Sequence, residues 1–147
     1  MATLTPTLTL SCTDLTSDST NFTVTDSLTV TAPAGSVQKI STSANPLAAG
    51  AGILLTEANS TGTTFVYLRH TGVLASDGTT ACHASNDFIR LSNADGDMDF
   101  IKLQPGEFCF FPLMEFDGSD GGVEAGGLKV EAASAAVMIE YAYWTRS

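Results

Sequence analysis

Apolar residues alternate with hydroxyl-bearing ones from the start of the chain. Leu4, Leu8 and Leu10 hold even positions, and Thr3, Thr5, Thr7 and Thr9 hold odd ones. Successive side chains of a strand point to opposite faces, so this spacing predicts a strand with one apolar and one hydroxyl face. Pro6 lies inside the run, and a strand proline points to a sheet edge or an extended arm. Asp14 to Asn21 is rich in turn formers. Phe22, Val24, Leu28 and Val30 then resume even positions with threonines between them, the pattern of a half-buried strand. Ala32-Pro33-Ala34-Gly35 is expected to end it.

Further strands are expected at Val37 to Ser43, Ile53 to Thr56, Thr64 to His70, Phe88 to Leu91, Met98 to Leu103, Phe108 to Leu113, Leu128 to Glu131 and Ala136 to Trp144. Phe108 to Leu113 reads as a buried strand. Turn signals separate these runs. They include Thr71-Gly72, Ser76-Asp77-Gly78, the hairpin loop Ser92 to Asp97, and Gln104-Pro105-Gly106-Glu107, which suits a type II turn. Asn45 to Gly52 and the glycine-rich Asp117 to Gly127 read as loops. Only Glu131 to Ala136 has helical composition, and β-branched and aromatic residues follow it at once. Many short strands at regular spacing predict an all-β, antiparallel sandwich or jelly roll in a single domain. Residues 1–21 form its N-terminal strand or arm, and residues 22–147 the sandwich.

Composition narrows the function. Charged residues make up 15% of the chain, and 20 Thr and 14 Ser replace them, which suits strands with hydroxyl-bearing outer faces. The net charge is −10. Lys39, Arg69, Arg90, Lys102, Lys129 and Arg146 are scattered, so neither nucleic acid nor an anionic membrane is an expected partner. Cys12, Cys82 and Cys109 are widely spaced and form no CxxC pair, so free thiols are expected rather than a zinc or redox site. Asn21-Phe-Thr23 and Asn59-Ser-Thr61 match the glycosylation sequon, but a signal peptide is not expected in the N-terminal stretch. Cys82 beside His83 points to opposite strand faces. Cys109 or Cys12 with His70 or His83 has no local signature of a catalytic pair. Asn93, Asp95, Asp97 and Asp99 alternate like calcium ligands, but Leu91 stands where the first ligand belongs. A surface calcium at Asp95, Asp97 and Asp99, or at Asp117 and Asp120, stays open. Tyr67, Tyr141, Tyr143 and Trp144 are the candidates for a sugar-stacking platform. The expectation is a protein without catalytic residues, cofactor or resident metal.

Phe65-Val66-Tyr67-Leu68-Arg69-His70-Thr71-Gly72 joins a strand to a turn. Downstream, Leu103-Gln104-Pro105-Gly106-Glu107 runs on to Pro112-Leu113 as L-x-P-G-E-x-x-x-x-P-L. These segments, about a third of the chain, resemble small β-sandwich virion structural proteins of tailed bacteriophages, including capsid decoration (cement) proteins of marine cyanophages. The resemblance implies a protein made in the host cytoplasm and carried on the capsid exterior. It would act without chemistry, as a homo-oligomer with a trimer favoured, clamping the major capsid protein. A tail, neck or head-fibre component and a carbohydrate-binding jelly roll are the alternatives. Leu4, Pro6, Leu8 and Leu10 of the arm are the expected contact residues, together with Arg69, Arg90 and Arg146 at loop tips. The arm would add a strand to a neighbour's sheet. The C-terminal strand would either pack at an oligomer axis or be an ordinary strand of the sandwich.

Overall fold

The computed structural model describes residues 2–12, 20–30, 34–40, 53–56, 64–93, 98–113 and 128–145. They hold twelve strands and no helix. These are β1 (Ala2–Leu4), β2 (Thr7–Cys12), β3 (Thr20–Thr25), β4 (Leu28–Val30), β5 (Ala34–Ile40), β6 (Ile53–Thr56), β7 (Thr64–Leu74), β8 (Ile89–Asn93), β9 (Asp99–Leu103), β10 (Phe108–Leu113), β11 (Leu128–Ala132) and β12 (Val137–Thr145).

Eight of them make two four-stranded sheets, ordered β5-β12-β7-β10 and β6-β11-β8-β9, with every pairing antiparallel. Counted from β5 as first, the orders are first-eighth-third-sixth and second-seventh-fourth-fifth. That is the double Greek-key order of a jelly roll. The expected sandwich is therefore present.

Side-chain alternation explains how the sheets meet. Val66, Leu68, Val137 and Ile139 of the first sheet point inward, towards Ile89, Leu91, Leu103, Leu128, Val130 and Ala132 of the second. Apolar burial of this kind contributes about 25 cal/mol for each Å² removed from water. His70 lies in the same layer, fully buried. Its Nε2–H donates to the Asp87 carbonyl at 2.6 Å, and its Nδ1 accepts from the Gly72 amide at 3.1 Å. Both ring nitrogens are thus satisfied by the neutral tautomer.

Several expectations shift by a few residues. The strand expected to end at His70 runs on to Leu74. Thr71-Gly72 is a bulge within it and not a turn. Gly72 takes φ of +85°, the Thr71 hydroxyl donates to the Met138 carbonyl at 2.7 Å, and the pairing with β12 slips there. β5 begins at Ala34, so Ala34-Gly35 belongs to a strand instead of ending one. Glu131 to Ala136, where no helix was expected despite its composition, is the end of β11 and a bend. The Gln104–Glu107 turn takes the expected form. Glu107 N–H donates to the Gln104 carbonyl at 3.0 Å, and Gly106 takes φ of +90°. The Asp77 turn is closed by its carboxylate, which accepts from the amides of Thr79 and Thr80 and from the Thr80 hydroxyl. Those bonds lower its pKa to about 2. Residues 94–97 of the expected hairpin loop, and the expected loops at 117–127 and 45–52, lie outside the described residues.

Candidate functional site

The strands β1 to β4 stand apart from the two sheets. β1 pairs with β4, and β2 pairs with β3. Ala2 lies opposite Val30, Leu4 opposite Leu28, Leu8 opposite Val24, Leu10 opposite Phe22 and Cys12 opposite Thr20. The offset between partners is constant across Pro6, where the Asp26 amide donates to the Pro6 carbonyl at 3.1 Å. The four short strands are therefore one antiparallel ribbon with a break at Pro6 and Asp26. The arm takes in residues 20–30 as well as the N-terminal stretch, so it reaches past the expected limit at residue 21. Its ladder partner is its own return strand rather than an edge of either four-stranded sheet.

Constant register keeps every apolar residue of the ribbon on one face. The other face is hydroxyl-lined, as expected from the threonines. Thr7 and Thr25 share a hydrogen bond at 3.1 Å, and so do Thr9 and Thr23.

The two halves of the apolar face meet different surroundings. In the proximal half, Leu28 and Val30 are buried with Phe65, and Leu4 and Trp144 pack against them. This seats the ribbon on the outer face of the β5-β12-β7-β10 sheet. In the distal half, Leu8, Leu10, Phe22 and Val24 are 42–58% exposed. Phe22 and Val24 were expected in a half-buried strand. They are exposed because the distal half of the ribbon does not pack on the sheet, and at Val24 an open groove separates the two. Among the described residues the ribbon has two strands, and no third strand pairs with it.

The sheet below contributes the second part of the site. β10 pairs with β7 so that Phe108 faces Arg69, Phe110 faces Tyr67 and Pro112 faces Phe65. These side chains share the outer face, while Cys109 and Phe111 pack against the core. The expectation that 108–113 is a buried strand is corrected on its outer face, since Phe108 is 62% exposed. The sequence FCFFPL has no polar alternation because both of its faces meet apolar groups. Phe110 stacks on Phe65 with centroids 6.1 Å apart and meets Trp144 edge-on at 6.3 Å. Between the overhanging ribbon and this aromatic face runs a groove of about 710 Å³. Leu8 and Val24 form its ribbon wall, and Phe65, Tyr67, Phe108 and Phe110 its sheet wall. Among the described residues Asp26 is the one charged residue lining it.

The expected contact residues divide. Leu4, Pro6, Leu8 and Leu10 all belong to the ribbon, with Leu4 half-buried. Arg69 and Arg90 were expected at loop tips, but both lie within strands, β7 and β8. Arg69 pairs with Glu140 at 3.3 Å and Arg90 with Asp99 at 3.4 Å. Such exposed pairs contribute little stability. Arg146 lies outside the described residues. Phe22, Val24, Phe108 and Phe110 were not expected at the site. The matched even register of 4–10 and 22–30 was the available signal for the first two.

Other candidate chemistry falls elsewhere. Of the proposed calcium ligands, Asp99 is described and faces Arg90, while Asp95, Asp97, Asp117 and Asp120 lie outside the described residues. Among the described residues no three His, Cys, Asp or Glu side chains group as metal ligands. His83 bonds Ser85 at 3.0 Å. Cys109 is held up to a pKa of about 11 by burial, partly offset by a backbone hydrogen bond at Leu68. Burial, with the Asp87 charge, also raises Cys82. Neither thiol is activated by its surroundings. Tyr141 and Tyr143 pack against the main core and Trp144 against the ribbon's proximal half, so of the four platform candidates Tyr67 alone lines the groove.

Comparison of the chain with family models, with curated proteins and with solved structures found no match.

Proposed function

We propose that this chain is a non-enzymatic assembly protein, in its most concrete form a decoration protein that binds the major capsid protein on a virion exterior. One observation carries the assembly reading. A two-stranded ribbon leaves Leu8, Leu10, Phe22 and Val24 of its apolar face open to solvent. An isolated two-stranded ribbon is marginal in water, and a contiguous apolar patch of this size marks an interaction surface. The groove beneath it is mostly apolar, and among the described residues lining it Asp26 is the one charge. Jelly rolls serve viral capsids, lectins and cupins alike, so the fold leaves the choice among them open. The capsid form of the proposal rests on the resemblance of the 65–72 and 100–113 segments.

Co-sedimentation with capsids that lack the protein tests it. Saturable binding at a fixed ratio to the major capsid protein is expected. Failure to bind at excess protein rejects the capsid assignment.

A further inference from the structure

We infer that the distal half of the ribbon is a plug for the groove of a second copy of this chain. This deepens the assembly reading and rests on it. The proximal half shows what the ribbon's apolar face fits. Leu28 and Val30 seat on Phe65, beside Trp144, on the outer aromatic face of a sheet. The distal half carries the same face, but an open groove lies between its Leu8 and Val24 and the sheet. The same molecule also holds an unfilled surface of the matching kind, Tyr67, Phe108 and Phe110.

Plug and socket are different residues of one chain. Leu8 and Val24 line the groove, whereas Leu10 and Phe22, one pair further out, do not. Two copies facing each other can therefore fill both grooves at once, each giving Leu10 and Phe22 and receiving its partner's. Reciprocal contact of this sort closes a two-fold pair and leaves no open end.

Charge favours a second copy over a basic protein. A basic partner would be recognised by acidic groups, yet the described ribbon residues carry one charge, Asp26. On a chain of net charge −10, this near-neutral surface is where two copies approach with least repulsion. The area is also suitable. Leu8, Leu10, Phe22, Val24, Phe108 and Phe110 together offer on the order of 500 Å² of exposed apolar surface. With the flanking threonines and backbone, that approaches the roughly 800 Å² per partner of a standard interface.

Sedimentation velocity over a wide concentration range tests this on the full chain. The wild type is expected to be a dimer or larger closed oligomer. Phe22→Asp removes the plug and Phe108→Asp the socket, and each is expected to weaken self-association by about ten-fold or more. Both sites are exposed, and circular dichroism with thermal melting confirms that the variants fold. Phe108→Ser replaces Phe108→Asp if the latter does not fold. The two variants mixed together retain one intact plug and socket, so a mixed dimer forms where neither variant dimerises alone. A misfolding effect does not produce that rescue. A monomeric wild type, undiminished association in both variants, or a mixture of folded variants that stays monomeric overturns the inference. Capsid co-sedimentation reads the broader proposal separately. A monomer that binds capsids defeats the plug alone, and an oligomer that ignores them defeats the capsid assignment alone.

Discussion

Single residues in this fold are held by specific hydrogen bonds more than by charge. His70 is the clearest case. It sits in the core layer with no exposure, between the Asp87 carbonyl and the Gly72 amide. Asp87 is itself buried, and its carboxylate accepts from the His83 amide at 2.7 Å. The imidazole thus ties the loop before β8 to the bulge in β7. His70→Ala leaves a carbonyl and an amide unpaired in the interior and opens a cavity. It is expected to cost about 3 kcal/mol in a urea unfolding experiment. A loss well under 1 kcal/mol would mean that water replaces both bonds.

At the level of elements, the two left-handed glycines next to each other in space decide how β9 crosses to the other sheet. Gly106 lies in the turn between β9 and β10, and its amide donates to the His70 carbonyl at 3.0 Å. The His70 amide donates in turn to the Glu107 carbonyl at 2.9 Å. The turn is thereby stitched to the β7 bulge beside Gly72. A Cβ added at Gly106 meets no atom within 4 Å, so only the backbone opposes a side chain there. Gly106→Ala is expected to lower stability by about 1–2 kcal/mol, and Gly106→Asn by less, because Asn tolerates the left-handed region. Equal losses in the two melting curves would show that space, not conformation, limits this position.

Across the whole molecule, the acidic balance opposes the assembly that the ribbon promotes. Two copies of charge −10 repel, and added salt screens that repulsion over a Debye length of about 10 Å at 0.1 M. The proposed contact is nearly uncharged, so salt has little attraction to weaken. Self-association is therefore expected to tighten as sodium chloride is raised, and also as the pH falls towards the isoelectric point near 4.2. Sedimentation at two salt concentrations checks this. Tighter association at low salt would point to an interface built on paired charges.

The sequence by itself determined the class of fold and the composition of the ribbon. Period-two alternation and turn chemistry are local properties, so the strands around Leu8, Leu68 and Ile139 and the Pro105-Gly106 turn were legible directly. Local patterning also marked which residues of the ribbon share a face. Only the tertiary structure decided what that face meets. Leu4 and Leu8 carry the same signal, yet Leu4 packs against Leu28, Val30 and Phe65 while Leu8 hangs over an open groove. The difference is set by whether sheet and ribbon pack together or leave a groove between them, a non-local matter. The same holds for Phe108 and Phe110. Their strand is apolar on both faces, so its sequence reads as core. Exposure arose because the ribbon packs on Phe65 but leaves an open groove over Phe108 and Phe110.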